Sequence, residues 1–254
     1  MTRLALVERL RAAGCVFAED EAALLTAEAD DEDQLESFAL RRIAGEPLEQ
    51  VLGWAEFDGL RIVVEPGVFV PRRRTELLVA EAAPMLSAGD TVLDLCCGSG
   101  AVGAALAERV PGIAVFAADI DPRAVHCARR NLVPELVFQG DLFDALPSSL
   151  QGQIDVIVVN APYVPTESIG FMPPEARLHE PTVALDGGGD GLDVQRRIAE
   201  QVTAWLAPGG RLLVETSRRQ SSISAEIVES TRLTARIVRS DELEATAVIG
   251  SPAG

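Results

Sequence analysis

Residues 92–103 read VLDLCCGSGAVG, a short apolar strand that leads into a loop of small residues and then into a helix. Glycine lets the backbone turn tightly and lets a ligand come close where a side chain would block it. The N-terminus of the following helix offers unpaired N–H groups to a polar ligand. The stretch therefore predicts a site for a nucleotide-like ligand, although the loop lacks the G-x-G-x-x-G spacing and the lysine of a P-loop.

The sequence after residue 89 continues this alternation of apolar strands and amphipathic helices. Such alternation indicates a mainly parallel sheet that is covered on both faces. We therefore predict an α/β fold with a seven-stranded, mostly parallel, doubly wound sheet. The strands are expected at 91–95, 113–118, 136–138, 154–159, 211–216, 234–238 and 245–249. The last two strands lack a convincing intervening helix, which predicts an antiparallel edge hairpin, and 192–206 predicts a helix that stops before Pro208.

The sequence before residue 89 predicts two further parts. Apolar residues recur at helical spacing in 1–46, which indicates a small N-terminal helical domain that forms a cap. Residues 47–88 are expected to form a linker with a short strand pair, 60–65 and 68–70, around a turn at Pro66 and Gly67. Residues 89–254 then form the ligand-binding domain.

Composition limits the classes of function. The chain has 22 basic and 39 acidic residues, a net charge of −17, and such a field repels polyanions, so we expect no direct nucleic-acid partner. The four cysteines, which show neither a CxxC pair nor zinc-ligand spacing, indicate a reduced, cytoplasmic protein. No signal peptide and no apolar run of about 18 residues occurs, so no membrane contact is expected. His126 and His179 lack a third ligand, and no metal site is predicted.

An acidic residue strengthens the ligand-site prediction. Asp119 ends the strand that follows the glycine loop, about 20 residues further on, where a carboxylate can accept both ribose hydroxyls of an adenosine. At this point NAD and S-adenosylmethionine both remain possible ligands. Asp121, which precedes Pro122, is predicted to cap the next helix instead.

The end of the fourth strand supplies the candidate catalytic residues. The apolar run 154–159 leads into Asn160, Ala161, Pro162 and Tyr163 at the carboxyl edge of the sheet. The side-chain oxygen of Asn160 and the carbonyl of Ala161 can accept two N–H bonds from a planar nitrogen, and the ring of Tyr163 can stack on its flat face. This pattern favours an amide or amine substrate.

With these motifs the sequence resembles the HemK-type release-factor glutamine N5-methyltransferases, a class I, Rossmann-like family. The likeness extends over the linker segments 45–57 and 69–76, the motif 160–163 and the loop 179–192. It implies S-adenosylmethionine as cofactor and a protein substrate with an exposed glutamine, plausibly a peptide chain release factor. It also implies that the cofactor lies on Cys96, Cys97, Gly98, Ser99, Gly100, Asp119, Asp141, Leu142 and Asn160, and that Asn160, Ala161, Pro162 and Tyr163 hold the glutamine.

The sequence also departs from the family pattern. Ala161 stands where the family has its first motif proline, and Cys96 and Cys97 stand where it has glycine and a small residue. The run 72–74 lacks the family's proline and acid, and 240–247 lacks its Asp-x-Gly-x-x-Arg ending. These departures are typical of a divergent paralogue, and they leave open an acceptor other than a release factor.

Two other functions stay open on the sequence alone. The first is methylation of N6 of adenine or another exocyclic amine in a nucleic acid, because relatives with this motif flip a base against the aromatic ring. The second is a degenerate, non-catalytic binding module that recognises a partner through its helical cap.

Overall fold

The N-terminal region consists of three short helices in a computed structural model that describes residues 2–252: α1 (Arg3–Ala12), α2 (Ala18–Glu28) and α3 (Glu32–Ile43). Their apolar faces meet in a core of their own that includes Leu6, Leu10 and Leu25. Helices thus occur where the sequence predicts them. The division into a cap at 1–46, a linker at 47–88 and a domain at 89–254 stays a prediction, and its residues 1, 253 and 254 lie outside the described residues.

The strand pair of the linker lies elsewhere than predicted. After α4 (Leu48–Leu52), the hairpin is formed by β1 (Trp54–Phe57) and β2 (Leu60–Val63). Asp58 and Gly59 between them have φ angles of +53° and +77°, as a two-residue I′ hairpin turn requires. The pairing predicted for 60–65 with 68–70 is therefore wrong, because the Asp-Gly turn signal selects the preceding segment as partner.

The residues 68–70 have a packing role instead of a strand role. Val68 and Val70 are buried, and Val70 forms a small cluster with Ala55 and Val64. These residues are apolar because they are buried. An alternating apolar pattern alone does not distinguish such a buried segment from a strand. The helix α5 (Glu76–Ala82) follows and leads into the sheet.

The main sheet confirms the predicted α/β class, with seven strands in the order β5-β4-β3-β6-β7-β9-β8. All neighbouring strands run parallel except β9, which is antiparallel to both β7 and β8. The predicted hairpin of the last two strands is thus confirmed. The strands are β3 (Thr91–Leu95), β4 (Ala114–Asp119), β5 (Val137–Gln139), β6 (Ile154–Val159), β7 (Leu206–Glu215), β8 (Leu233–Ser240) and β9 (Ala245–Pro252).

Helices follow most strands, namely α6 (Ala101–Arg109), α7 (Pro122–Ala128), α8 (Pro174–His179), α9 (Asp193–Gln201) and α10 (Ser221–Glu229). The helix predicted for 192–206 is too long. It ends at Gln201, and the chain already pairs at Leu206 with Ile154 before an irregularity in the register. The β7 strand therefore begins ahead of Pro208, which the sequence interpretation placed after a helix.

Two apolar layers cover the sheet. One layer packs α5 and α6 against the sheet through residues such as Leu78 and Leu106. The other contains Leu93, Phe143 and Trp205, and the rings of Phe143 and Trp205 stack with centroids 5.5 Å apart. The central strands are consequently buried on both faces, which explains why they read as nearly continuous apolar runs.

The order of the strands fixes where a ligand can bind. The strand β3 has β4 on one side and β6 on the other, so Leu95 lies opposite both Ala118 and Val159. The chain runs from β3 outward through β4 to β5 and then crosses to β6 on the other side of β3, and this reversal opens a crevice beyond the carboxyl ends of these strands. The glycine loop, Asp119 and Asn160 all follow directly at this edge.

We expect Leu93→Ala to lower the free energy of unfolding by about 2–5 kcal/mol, because a fully buried leucine on the central strand leaves a cavity that the sheet cannot close. Urea denaturation of the wild type and the variant measures this difference. Leu4→Ala, at a leucine with 70% exposure on α1, is the matched control and should change it by less than about 0.5 kcal/mol. Equal losses in the two variants would contradict the assignment of the core.

Candidate active site

A cavity of about 540 Å³ lies beyond the carboxyl ends of β3, β4 and β6. This size is typical of sites for small molecules and cofactors. All sequence-predicted site residues except Gly100 line it. They are Cys96, Cys97, Gly98, Ser99, Asp119, Asp141, Leu142, Asn160, Ala161, Pro162 and Tyr163.

The glycine loop bends sharply at the floor of this cavity. Cys96, Gly98 and Gly100 all have positive φ angles, of +60°, +56° and +78°. Gly100 is the N-cap residue of α6 and packs closely on Leu132. A Cβ at Gly100 would lie 2.8 Å from Cδ1 of that leucine. Gly100 thus serves the packing of the loop, whereas the residues before it face the cavity.

Asp119 is held by the backbone of two loops. Its Oδ2 accepts a hydrogen bond from the N–H of Gly98 at 2.9 Å, and its Oδ1 accepts one from the N–H of Asp121 at 2.9 Å. Burial raises the pKa of Asp119, and these two hydrogen bonds oppose that effect. Among residues 2–252 no arginine forms an ion pair with it, so its remaining lone pairs are available to a hydroxyl-bearing ligand.

Asp121 has the structural role that the sequence predicts. Its Oδ1 accepts a hydrogen bond from the N–H of Arg123 at 2.9 Å and caps α7, in which Pro122 is the first residue. The side chain of Arg123 lies 3.0 Å from its other oxygen. Asp119 and Asp121 both line the cavity, but Asp121 is engaged by α7 and Arg123, whereas Asp119 keeps lone pairs for a ligand.

Asp94 is a site residue that the sequence interpretation missed. It lies within β3, it is only 3% exposed, and it lines the cavity. Its Oδ2 accepts a hydrogen bond from the N–H of Gly103 at 2.9 Å. Burial, reinforced by the charge of Asp119, raises the pKa of Asp94 to about 7. The signal in the sequence that marks Asp94 is an acidic residue inside an otherwise apolar strand.

Asp141 and Leu142 lie at the far side of the cavity. Leu142 is buried with a φ of +49°, two residues after Gly140. Oδ2 of Asp141 lies 2.6 Å from Nη2 of Arg197, and both side chains are about half exposed. Arg197 also lines the cavity and was not foreseen, because nothing in the sequence links α9 to this loop.

Asn160 and Tyr163 are fixed by side chains from distant parts of the chain. Nδ2 of Asn160 donates to Oγ1 of Thr75 at 3.3 Å, and the hydroxyl of Tyr163 donates to Oε1 of Glu215 at 3.1 Å. Ala161 between them is buried, and its carbonyl oxygen takes no hydrogen bond from any residue in the described part of the chain. Two acceptors, the Asn160 side chain and the Ala161 carbonyl, are thus placed beside one aromatic ring.

The loop 179–192 packs against this motif. A Cβ on Gly191, whose φ is +82°, would lie 2.3 Å from the carbonyl oxygen of Tyr163, and one on Gly187 would lie 2.7 Å from that of Pro162. Val164 and Asp186 also form a β-bridge. The glycines allow two backbones to touch, which fixes the direction in which the motif leaves the sheet.

Three glutamates also line the cavity, namely Glu49, Glu175 and Glu180. Glu180 is buried and pairs with Arg72, while Glu175 lies 3.5 Å from Arg42 of α3. The helical region and the segment after the motif therefore meet beside the cavity.

Within residues 2–252, no three histidine, cysteine or acidic side chains come together as a possible metal site. Over the same residues, none of the helices has the length and apolar character needed to cross a bilayer.

We expect Gly191→Ala to destabilise the fold by about 1–3 kcal/mol or more, because the added Cβ meets a backbone carbonyl and the positive φ is strained for alanine. Gly189→Ala, in the same loop with open space around it, is the matched control and should stay within about 0.5 kcal/mol. Chemical denaturation measures both. A cost at residue 189 as large as that at residue 191 would contradict the contact.

We expect Asp94→Asn to remove a pH dependence of stability. The raised pKa means that the folded protein holds this proton more tightly than the unfolded chain, so the associated stability is present below about pH 4 and is lost as pH rises through about 7. Asparagine can still accept from Gly103 but cannot ionise. The free energy of unfolding of the variant, relative to wild type, should therefore rise between about pH 4 and pH 8. A difference that stays constant with pH would contradict this, and Glu229→Gln on the surface serves as control.

Comparison with known proteins agrees with this geometry. Residues 59–190, about half of the chain, match the model of the methyltransferase small domain family. A crystal structure of a methyltransferase from Pyrococcus furiosus superposes with a TM-score of 0.57 at 18% identity, covering 77% of this chain and 90% of that one. At that identity the likeness concerns the fold alone.

Three curated relatives are similar in sequence. The release factor glutamine methyltransferase of Geobacter sulfurreducens is 41% identical over 69% of this chain and 62% of its own length. The release factor glutamine methyltransferase of Bradyrhizobium diazoefficiens is 36% identical over 79% of this chain and 70% of its own length. The 4-amino-L-phenylalanine/4-methylamino-L-phenylalanine methyltransferase of Streptomyces pristinaespiralis is 38% identical over 70% of this chain and 63% of its own length.

The match to the Geobacter relative thus spans slightly less than two thirds of that protein. The Bradyrhizobium match exceeds that share, and the family model includes the glycine loop, Asp119 and the motif at 160–163. The chain therefore belongs to the release factor glutamine methyltransferase (HemK-type) family of small-domain methyltransferases, as its motifs predict.

Proposed function

We propose that the protein transfers a methyl group from S-adenosylmethionine to the side-chain amide nitrogen of a glutamine in a protein substrate, a peptide chain release factor. One observation carries the proposal. Asp119 and the segment from Asn160 to Tyr163 line the same cavity, although they follow different strands. The proposed nucleoside-binding group and the proposed amide-binding groups thus line one cavity, which supports the proposal.

The cavity fits the cofactor. The loop from Cys96 to Ser99 would hold the methionine part, Asp119 the ribose and Asp141 with Leu142 the adenine. The carboxylate of Asp119 has lone pairs left for two hydroxyls, and a raised pKa is the mark of a carboxylate without a buried countercharge. When bound, the cofactor supplies a methyl group that its sulfonium has already activated.

The residues of the chain then orient the acceptor. Oδ1 of Asn160 and the carbonyl of Ala161 accept the two N–H groups of the amide, and the Tyr163 ring packs on its plane. Holding the nitrogen in line with the methyl group supplies up to about 7–11 kcal/mol through proximity. The two hydrogen bonds favour the positive charge that develops on nitrogen, so no strong general base is required.

Family membership supports a protein as the acceptor, because two of the relatives named above are release factor glutamine methyltransferases. We also propose a cytoplasmic location, because all four cysteines are unpaired.

A second candidate is methylation of a small aromatic amine. The relative from Streptomyces pristinaespiralis carries the name of such an enzyme, and Ala161 here departs from the family motif at the acceptor. A planar aniline nitrogen also offers two N–H groups, so the same two acceptors would suit it. The identity of the acceptor therefore has to be measured.

Asp119→Ala and Asn160→Ala should separate the two halves of the site. We expect Asp119→Ala to weaken S-adenosylmethionine binding by at least about tenfold, which corresponds to the loss of hydrogen bonds to a charged group. We expect Asn160→Ala to lower kcat by at least about a hundredfold while the cofactor Kd stays within about twofold. Isothermal titration calorimetry and a methyl-transfer assay measure these quantities.

The same assay identifies the acceptor. With radiolabelled cofactor we expect transfer to a release factor at a single glutamine, identified by mass spectrometry. Transfer to 4-amino-L-phenylalanine alone would support the second candidate, and transfer to DNA or RNA alone would contradict both. An unchanged cofactor Kd in Asp119→Ala would contradict the proposed ribose contact.

A further inference from the structure

Glu215 is a buried carboxylate to which the proposed reaction assigns no part. It ends β7, it is 3% exposed, and it does not line the cavity. Its Oε1 accepts the hydroxyl hydrogen of Tyr163 at 3.1 Å, while its Oε2 is buried without a hydrogen-bond partner of good geometry in the described part of the chain. Burying a carboxylate is costly, so its presence behind the motif calls for a reason.

Thr75 is the partner of Asn160. Thr75 is 3% exposed, and its Oγ1 accepts the hydrogen bond from Nδ2 of Asn160 at 3.3 Å. Burial raises the pKa of Glu215, and the hydrogen bond from Tyr163 opposes that effect. Thr75 and Glu215 thus each hold one side chain of the motif 160–163.

The direction of the Asn160 hydrogen bond follows from the chemistry of the groups. An amide NH₂ group can only donate, so the hydroxyl oxygen of Thr75 accepts from it. The NH₂ end of the Asn160 amide therefore faces Thr75, and its oxygen remains for the cavity.

The carboxylate itself is held on a rigid element. Glu215 pairs with Ala247 in the sheet, and Nε2 of Gln195 donates to its backbone carbonyl at 3.3 Å. A site keeps its geometry best when its side chains are supported by such fixed neighbours.

We propose that Thr75 and Glu215 are positioning residues: Thr75 accepts from Nδ2 of Asn160, so that Asn160 presents its oxygen to the acceptor nitrogen, and Glu215 accepts the Tyr163 hydroxyl hydrogen and fixes the ring. This inference rests on the proposed function, since it specifies how the acceptor end of that site is oriented. It predicts that Glu215, which touches no substrate, affects turnover and leaves the cofactor site intact.

The experiment uses Glu215→Gln. A glutamine keeps the shape of the side chain but removes the charge and brings an NH₂ donor to the place where Glu215 accepts from the Tyr163 hydroxyl. Tyr163 is the single tyrosine of the sequence, so its ionisation can be followed by ultraviolet absorbance without interference from another tyrosine. Burial, followed by the charge and hydrogen bond of Glu215, raises the pKa of Tyr163. We expect the alkaline titration midpoint of the folded variant to move to lower pH than in the wild type.

The kinetic arm uses the acceptor that the wild type methylates. We expect Glu215→Gln to lower kcat at least about tenfold with the S-adenosylmethionine Kd within about twofold. Thr75→Val, which removes the hydroxyl, should behave likewise, and Thr75→Ser, which restores it, should cost clearly less. Glu229→Gln on the exposed end of α10 is the control and should match the wild type.

Each outcome bears on the proposal. A lowered Tyr163 midpoint together with the loss of kcat supports it. An unchanged midpoint, or a lowered midpoint with unchanged kcat, overturns it, as does Thr75→Ser failing as badly as Thr75→Val. A wild type that methylates no acceptor refutes the proposed function, and the alkaline titration then still decides whether Glu215 holds Tyr163.

Discussion

The hydrogen bond from the backbone of Gly98 to Asp119 joins the loops that follow two neighbouring strands. It exists because β3 and β4 run parallel and in register, so that their carboxyl ends stop at the same level. The glycine loop cannot bind a ligand in a defined way unless that bond holds its backbone, and Asp119 cannot face the cavity unless the loop holds one of its oxygens. The adjacent strand β6 then delivers Asn160 to the same edge.

Carboxylates recur at this edge of the sheet. Asp94 lies in β3, Asp119 ends β4 and Glu215 ends β7, and burial raises the pKa of each one. None of the three forms an ion pair with an arginine within residues 2–252. A buried charge without an oppositely charged partner lowers the free energy of unfolding. Carboxylates with such perturbed pKa values cluster at functional sites. A negative potential of this kind would favour the sulfonium cation of the proposed cofactor.

The sequence predicted the parts of the molecule that depend on local pattern. The strands of the sheet follow from apolar runs bounded by glycine, and Asp119 and Asn160 follow from their place at strand ends. The site residues that it missed depend on tertiary contacts. Thr75 lies 85 positions from its partner Asn160, and Glu215 lies 52 positions from its partner Tyr163, and nothing in their own neighbourhoods marks these pairs. The sequence interpretation misplaces the linker hairpin although its signal is local. Both Pro66-Gly67 and Asp58-Gly59 are turn signals, and the hairpin turn lies at the second pair.

The central claim is that one cavity brings a nucleoside bound by Asp119 and an amide bound by Asn160 into contact. A crystal structure of the protein with S-adenosylhomocysteine and a glutamine-containing peptide of a release factor tests it most directly. The account predicts the ribose hydroxyls on Asp119, the amide N–H groups on the Asn160 oxygen and the Ala161 carbonyl, and the amide nitrogen pointing at the cofactor sulfur. A glutamine bound away from Asn160, or a cofactor whose ribose does not touch Asp119, would contradict it.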